Sequence, residues 1–521
     1  MGMTNILIRP LSDQHLPTLL ALPYACRQHE EFPVSLQIKL RYDAARKIRW
    51  PVCMSDPACT LTNLEDVQMS GMIVSKFGGS SVANADQIEK VRRIVAENES
   101  RRYVIVSAPG KDASDSEKVT DHLFNIATEG DHFRSRGKDI DAKQSYDRVV
   151  GKFKNLVTHL GIDGDDIIDD IESELTSNIS DKKRIDFFAS RGEHYHAKII
   201  TRYFKSKGMN AKLMLPEDIG FLVSDRFGNA KVLPATHANL GLSLSEDAIN
   251  IIPGYYGITL KGDVAVLSRG GSDLTGGEVA YAVEAERYEN WTDTDGVYEV
   301  DPRIIPDAKV IPVLTYKEIR LLSSRGFNVF HFDAMISCKN RNIPINIRNT
   351  NNPQAPGTMI VTSRESSETA VGIARMDDIA SVYIEKDMIG ETVGFTKDLL
   401  DIFRDYGINT HHYPSDKDDI AVIVDQRDLQ GKAFDLTNTI KKSLSPNFLE
   451  INYDLCLLSP VGIGMKNTPG VLARAATALY NENINIEIVD QGPSQLSFHF
   501  GIRQNYADIG LKALYTTLLK Q

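Results

Sequence analysis

The chain has 521 residues and a formal net charge of −11 at pH 7, with 42% hydrophobic and 25% charged residues. This balance is typical of globular proteins, and the negative charge argues against a nucleic acid or an anionic membrane as a partner. No apolar run in the sequence approaches the roughly 20 residues that a membrane-spanning helix needs. At roughly 150 residues per domain, the length predicts three or four structural units.

The cysteines are odd in number and scattered, which is not the pattern of a disulfide framework. They are Cys26, Cys53, Cys59, Cys338 and Cys456. We therefore expect a reducing compartment, the cytoplasm. Three of them fall in residues 1–71, a segment without sustained periodicity. Two hypotheses fit this segment: an extension of unclear order, or an artefact of a gene model whose true start is Met72.

Regular patterns begin at Met72. Residues 72–77 read as a strand entering a glycine turn, and residues 103–106 as a short buried strand. Between them, the apolar positions of residues 84–100 recur at helical spacing. Strands and helices alternate again after a charged, mostly helical stretch. This order predicts an α/β domain with a mainly parallel sheet over residues 72–365.

A second pattern fills the rest of the chain and occurs twice, over residues 371–447 and 448–521. Each copy reads as a small βαββα unit, and residues 407–409 hold the same place in the first as residues 483–485 in the second. In the second copy, Thr468-Pro469-Gly470 predicts a helix start with the threonine as cap and the proline in the first position.

Two glycine-rich loops follow predicted strands of the first domain. In Lys76-Phe77-Gly78-Gly79-Ser80-Ser81, backbone N–H groups can bind a phosphate, with Lys76 as a point charge. The alternative is a tight turn with a solvated lysine. The second loop ends at Asp273, at a carboxyl strand end, where open α/β sheets bind ligands. There Arg269 can grip a carboxylate and Asp273 can orient Lys76 or hold Mg²⁺ indirectly. An Arg–Asp ion pair on a glycine loop is the alternative.

Two further segments carry candidate polar groups. Glu193 can accept hydrogen bonds from a substrate ammonium, although a lone glutamate after a glycine is also typical of a helix start. Farther along, Thr292 and Asp293 can bind the ribose or base of a nucleotide, while Tyr298 and Arg303 flank its phosphates. A polar connection after a strand explains the same residues equally well.

In this order the loops resemble the aspartate kinase family of the amino acid kinase superfamily. Lys76 to Val82 is similar to its K-F-G-G-[ST]-S-V signature, and Arg269 to Asp273 to its R-G-G-S-D motif. Thr292 to Arg303 is similar to its T-D-x-D-G-x-Y…D-P-R motif. The carboxyl repeat resembles its paired ACT regulatory domains. The resemblance runs from Met72 to the last residue and implies a monofunctional form, without a homoserine dehydrogenase region.

The resemblance implies a three-layer αβα kinase domain followed by two ferredoxin-like βαββαβ ACT domains. It also implies transfer of the γ-phosphate of ATP, with Mg²⁺, to the side-chain carboxylate of L-aspartate. The product, 4-phospho-L-aspartate, leads towards lysine, threonine and methionine. Lys76 and Asp273 would form the catalytic centre, and no residue is assigned as a metal ligand. Aspartate would be held by Ser107, Thr120, Glu193, Arg269 and Ser272, and ATP by Lys76, Gly78, Gly79, Thr292, Asp293, Tyr298 and Arg303.

The sequence departs from the family at Asn328, which stands where a lysine is expected near the ATP phosphates. The first ACT copy does not match a lysine-sensing pattern, so the feedback amino acid stays open. ACT domains usually pair between chains, and we expect a homodimer or a multiple of it. The alternatives are another superfamily member, acting on glutamate or a nucleoside monophosphate, and a non-catalytic amino-acid sensor.

Overall fold

The computed structural model describes residues 71–112, 115–179, 181–268, 270–324, 332–365 and 368–520. The predictions for Arg269, for Asn328 and for the segment before Gly71 lie outside these residues. Within the described ranges, no helix is long and apolar enough to cross a membrane.

The first domain is built on an eight-stranded sheet with the order β3-β5-β2-β1-β8-β10-β11-β9, in which neighbouring strands are parallel except for β10 and β11. A separate small sheet has the strand order β4-β6-β7, and its strands fall between β3 and β8 in the sequence. The strands are β1 Ile73–Phe77, β2 Arg101–Val106, β3 Ala211–Leu213, β4 Leu222–Val223, β5 Ile249–Pro253, β6 Tyr256–Thr259, β7 Val264–Val266, β8 Arg287–Thr292, β9 Val313–Thr315, β10 Ile345–Asn349 and β11 Thr358–Val361.

Helices cover both faces of the large sheet, as the mainly parallel three-layer prediction requires. The two faces form separate cores, because successive side chains of a strand point to opposite sides: Phe77 of β1 joins one and Val74 the other. The helices are α1 Ala85–Ala96, α2 Val119–Ala127, α3 Asp131–Arg134, α4 Ala142–Leu160, α5 Asp165–Leu175, α6 Asp181–Ser206, α7 Pro216–Ile219, α8 Ala235–Ser243, α9 Gly271–Ala282, α10 Tyr316–Ser323 and α11 Phe332–Asn340.

The remaining residues form one six-stranded sheet with the order β13-β14-β12-β15-β17-β16. Its elements are β12 Gly372–Glu385, α12 Phe395–Asp405, β13 Thr410–His412, β14 Asp419–Asp425, α13 Ala433–Leu444, β15 Phe448–Val461, α14 Val471–Asn481, β16 Ile488–Gln491, β17 Phe498–Arg503 and α15 Ala507–Leu518. This confirms the predicted repeat of strands and helices.

The two halves of this sheet share their longest strands. β12 and β15 pair antiparallel along their length, with shifts in register near Met376 and Ile379. Residues 379–385 of β12 pair with β14, whereas residues 455–458 of β15 pair with β17. The start of β15 therefore lies beside the first half, and the strand crosses into the second.

The predicted start of the helix after Thr468 is wrong. Helix α14 begins at Val471, and Gly470 precedes it with a φ of 81°, a left-handed conformation that favours glycine. The Thr468 hydroxyl donates instead to the Gly464 carbonyl at 2.8 Å. This bond closes the short 3₁₀ turn Ile463–Asn467, and the cap position directly before α14 is held by Gly470 instead of Thr468.

Candidate active site

Lys76 and Asp273 meet at the carboxyl end of the central strands. Lys76 lies near the end of β1, and its Nζ is 2.5 Å from Asp273 Oδ1. The Asn290 side chain donates to the same oxygen at 3.2 Å, because β1 and β8 run in parallel with Lys76 opposite Asn290. The Lys76 and Asp273 side chains retain 10% and 14% of their exposure. Solvent, and hence a ligand, can reach the pair.

Asp273 is positioned by the turn that follows β7. Gly270 has a φ of 80°, and α9 begins at the next residue, with Asp273 in its first turn. A carboxylate at the start of a helix is favoured by the partial positive charge of the helix N-terminus. Ser272, also in this turn, is buried and packs against Gly254, where an added Cβ would lie 2.7 Å from the Ser272 Cβ.

The glycine loop after β1 packs directly on the loop after β2. The Gly78 amide donates to the Trp291 carbonyl at 3.0 Å, and the Gly110 amide donates to the Gly79 carbonyl at 3.0 Å. A Cβ on Gly110 would approach the Gly79 carbonyl carbon to 2.5 Å, so the approach requires a glycine. The two loops together place backbone groups next to Lys76, as expected for a phosphate-binding turn.

Glu193 lies in the middle of the long helix α6, which excludes the interpretation as a helix start. It is buried, and its Oε2 has no hydrogen-bond partner among the described residues. Burial raises the pKa of Glu193 to about 8, although the Ala108 amide and the nearby charge of Lys76 act in the opposite direction. A buried carboxyl with an unused oxygen is a candidate binding group for a cationic ligand.

Lys76, Asp273, Asn290 and Glu193 form what we call the ligand cluster. Asn290 was not predicted from the sequence, and its Oδ1 is likewise buried without a hydrogen-bond partner in the described part of the chain. The signal that indicates it is a pair of polar residues, Glu289 and Asn290, inside the buried strand β8. Such residues need partners or a function, since burying an unpaired polar group costs free energy.

The other predicted aspartate contacts lie around this cluster. Ser107 follows β2; its amide donates to the Phe77 carbonyl at 3.2 Å, and its carbonyl accepts from His196 Nδ1 at 2.7 Å. Thr120 is the second residue of α2 and is partly buried.

The predicted nucleotide residues extend away from the ligand cluster. The hydroxyl of Thr292, the last residue of β8, donates to Asp293 at 3.2 Å. Arg303 is 88% exposed and pairs with Asp301 at 2.6 Å. Tyr298 and Arg303 line a cavity of about 880 Å³ that also includes Arg375 of β12. Among the described residues, no contact joins Arg303 to Lys76, so the two ends of the predicted nucleotide set lie in separate surroundings.

The fold and the glycine loops define an amino acid kinase with an ACT-containing carboxyl part. The amino acid kinase family matches residues 71–349, and an ACT domain family matches residues 458–518. These matches agree with the boundary between the eight-stranded and the six-stranded sheets.

Similarity to individual proteins shows which family within this class the chain resembles. The chain is 36% identical to aspartokinase 3 of Bacillus subtilis, over 85% of this chain and 98% of that protein. It resembles the crystal structure of Clostridium acetobutylicum aspartate kinase with a TM-score of 0.77 at 32% identity, covering 86% of this chain and all of that one. E. coli aspartokinase III, solved with aspartate and ADP, shares the fold at 21% identity with a TM-score of 0.67 over 86% and 99% of the chains.

The chain belongs to the aspartate kinase family. It is an ATP-dependent kinase that acts on aspartate, with ACT regulatory domains.

Proposed function

We propose that the ligand cluster is where the γ-phosphoryl group of ATP passes to the side-chain carboxylate of L-aspartate. The observation that carries this proposal is the buried Glu193 carboxyl with its unpaired Oε2, close enough to Lys76 to be affected by its charge. Glu193, which can bind an ammonium group, thus lies near Lys76, which can bind a phosphate. An amino acid that accepts a phosphoryl group needs both.

The chemistry requires no general base. The acceptor carboxylate has an ordinary pKa of about 3.9 and is ionised at neutral pH. The obstacle is the approach of one anion to another, so catalysis depends on positioning and on neutralisation of charge. Lys76 places its ammonium at the transferred group, and Asp273 and Asn290 hold that ammonium in place through one shared oxygen.

The amino acid is oriented by groups around Glu193. In this proposal Glu193 accepts from the α-ammonium, and Arg269 binds the α-carboxylate. Ser107, Thr120 and Ser272 complete the contacts. The pKa of about 8 implies that Glu193 ionises when the ammonium arrives, since a neighbouring cation favours the charged form.

ATP would lie along the glycine loops, with Gly78 and Gly79 at its phosphates, Thr292 and Asp293 toward its ribose or base, and Tyr298 and Arg303 flanking the phosphates. Mg²⁺ fits this donor set, because it binds phosphates together with one or two carboxylates, and Asp273 retains an exposed fraction of 14%. When bound, Mg²⁺ neutralises charge on the phosphates. The protein's own part is the orientation of Lys76 and of the acceptor.

We further propose a cytoplasmic homodimer, or a multiple of it, formed through the ACT domains, with an amino acid as feedback effector. The domain limits 72–365, 371–447 and 448–521 belong to the same proposal. An E. coli aspartokinase III structure with lysine and aspartate makes lysine the first effector to titrate. Threonine and methionine follow, since each derives from the same product.

The direct test is product formation with hydroxylamine as the trap for an acyl phosphate. Purified protein with ATP, Mg²⁺ and aspartate should form the hydroxamate, and glutamate should give far less. Equal rates with glutamate would indicate another member of the superfamily. Binding of aspartate without any hydroxamate would indicate an amino-acid sensor.

A further inference from the structure

A group of three metal-binding side chains lies within the six-stranded sheet, away from the ligand cluster. His412 comes from β13, Asp490 from β16 and His499 from β17. One ring nitrogen of each histidine and one oxygen of Asp490 all lie within 4.8 Å of one another. β13 and β16 are the opposite edges of the sheet, so the cluster joins the first half to the second.

The contacts within the cluster hold the donors together. His412 Nδ1 is 2.8 Å from Asp490 Oδ2, and the two imidazole rings are 4.7 Å apart between centroids. Asp490 is the direct cross-strand partner of His499. Two adjacent histidine rings, tilted by 37° to one another, and one carboxylate are a favourable donor set for a divalent ion.

A buried serine supports His499 in the way that metal-binding histidines are usually supported. His499 is buried, and its Nδ1 is 2.7 Å from the hydroxyl of Ser459, which is also buried. When Nδ1–H donates to this hydroxyl, Nε2 carries the lone pair. Metal-binding histidines commonly donate their second ring N–H to such a partner, which fixes the tautomer and the ring orientation.

We propose that His412, Asp490 and His499 form a site for a divalent transition-metal ion of the Zn²⁺ class. Two imidazoles and a carboxylate suit Zn²⁺, Co²⁺ or Ni²⁺, whereas the Mg²⁺ that accompanies ATP prefers oxygen donors. Tetrahedral binding brings donors to about 3.3 Å from one another. The half-buried His412 and Asp490 lie on edge strands of 3 and 4 residues, which can supply that movement.

Such an ion would bind the two halves of the sheet to each other. Main-chain pairing connects β13 to β16 through the four strands between them, and the ion would add metal–ligand bonds to the direct His412–Asp490 contact. Its binding would displace the proton that His412 and Asp490 share, because metal ligands must be deprotonated. The site is thus a connection between the regulatory halves, independent of ATP and aspartate.

The test is a Co²⁺ titration of the full-length protein after chelator treatment, without nucleotide, followed by visible absorption. Residues 1–71 hold Cys26, Cys53 and Cys59, so the readout is the difference between wild type and variants. His412→Asn and Asp490→Asn should each lose one Co²⁺ equivalent and the tetrahedral d–d band. His159→Asn, at an exposed histidine on α4, is the matched control and should bind as wild type does.

Two further measurements complete the experiment. Zn²⁺ should displace the bound Co²⁺ and raise the Tm of wild type and of the His159 variant, but not that of the His412 variant. Ser459→Ala should bind about tenfold more weakly, as expected for loss of a supporting hydrogen bond. If wild type binds no Co²⁺, or if the His412 and Asp490 variants bind the same number of equivalents as wild type, the proposal is wrong.

Discussion

Two ion pairs involve the central strands of the kinase sheet, Arg101–Glu289 and Lys76–Asp273, and their surroundings are opposite. Glu289 on β8 is fully buried and accepts from Arg101 at 2.8 Å, from Ser75 at 3.1 Å and from Trp291 at 3.0 Å. Burial by itself raises the pKa of Glu289, but the hydrogen bonds and charge of Arg101 lower it below its usual range. The Arg101–Glu289 pair is saturated and has no capacity for a ligand.

The second pair, Lys76–Asp273, is accessible: Lys76 lies on β1, one residue beyond the Ser75 that is opposite Glu289, and Asp273 lies in the first turn of α9. It retains some exposure, and the nearby Glu193 Oε2 and Asn290 Oδ1 have no hydrogen-bond partner among the described residues. Glu193 lacks the bidentate arginine that Glu289 has, and its pKa is raised to about 8. The comparison teaches that a buried carboxylate with saturated partners has no capacity for a ligand, whereas buried groups with unused hydrogen-bonding atoms indicate the candidate site.

The largest effect, on the free energy of unfolding, should come from disrupting the Arg101–Glu289 pair. Arg101→Met leaves the Glu289 carboxylate buried without its main partner, which should lower the free energy of unfolding by about 3–5 kcal/mol. Denaturant unfolding measures this loss. The control is Arg93→Met, which breaks a pair on α1 in which Arg93 is 68% exposed, and it should change stability by less than about 1 kcal/mol. Equal losses of unfolding free energy in the two variants would show that the buried Arg101–Glu289 pair contributes no more than a surface pair.

Disrupting the Lys76–Asp273 pair should instead affect catalysis. Lys76→Met should lower kcat by about 10²–10³-fold, the usual result of removing one group that stabilises developing charge. Stability should change less than in the Arg101 variant, because Asp273 keeps its Asn290 bond and some solvent. Lys152→Met is the matched control, since Lys152 pairs with Asp112 at the same exposed fractions of 10% and 14%. A kcat loss of similar size in both variants would contradict the assignment of Lys76.

Replacing the unpaired carboxyl should affect mainly the binding of aspartate. Glu193→Gln should raise KM for aspartate by about 10–100-fold, because a hydrogen bond to a charged group contributes about 1.5–3 kcal/mol. KM for ATP and kcat should change less. Steady-state kinetics with each substrate varied in turn separates these effects. A change confined to KM for ATP would indicate that Glu193 contacts the nucleotide and not aspartate.

The same variant makes a pH prediction. In wild type, KM for aspartate should fall as pH rises toward 8, because the Glu193 carboxyl, with a pKa of about 8, becomes ionised. The folded-state pKa lies above the ordinary value of 4.5, so the stability this group contributes is complete below that value and is lost as pH rises through about 8. Both dependences should be absent from Glu193→Gln, and a retained profile would assign them to another group.

The smallest effect, on KM for ATP, should come from an ion pair at the surface. Arg303 pairs with Asp301 and is 88% exposed. Arg303→Ala should therefore raise KM for ATP by no more than about fivefold, since water competes for the contacts of an exposed arginine. Arg134→Ala, at an arginine that is also exposed and pairs with Asp131, should leave KM for ATP unchanged. If the two variants have the same KM for ATP, Arg303 is not a nucleotide contact.

The sequence by itself determined the features that depend on a few neighbouring residues. The strand, glycine turn and helix that start near Met72 follow from local periodicity, and the Asn84 cap of α1 accepts from the Gln87 amide as such a side chain should. The carboxyl repeat was visible for the same reason. Lys76 was identified because the residues that present it are contiguous.

The tertiary structure alone decided which distant groups meet. Asp273 reaches Lys76 because α9 begins directly after Gly270, and Asn290 reaches both because β8 pairs in register with β1. Glu193 lies within α6 rather than at its start, and α6 packs through Gly192 against the loop that contains Ala108. Periodicity and caps act over one or two turns of chain, whereas register and burial are set by contacts between segments far apart in sequence.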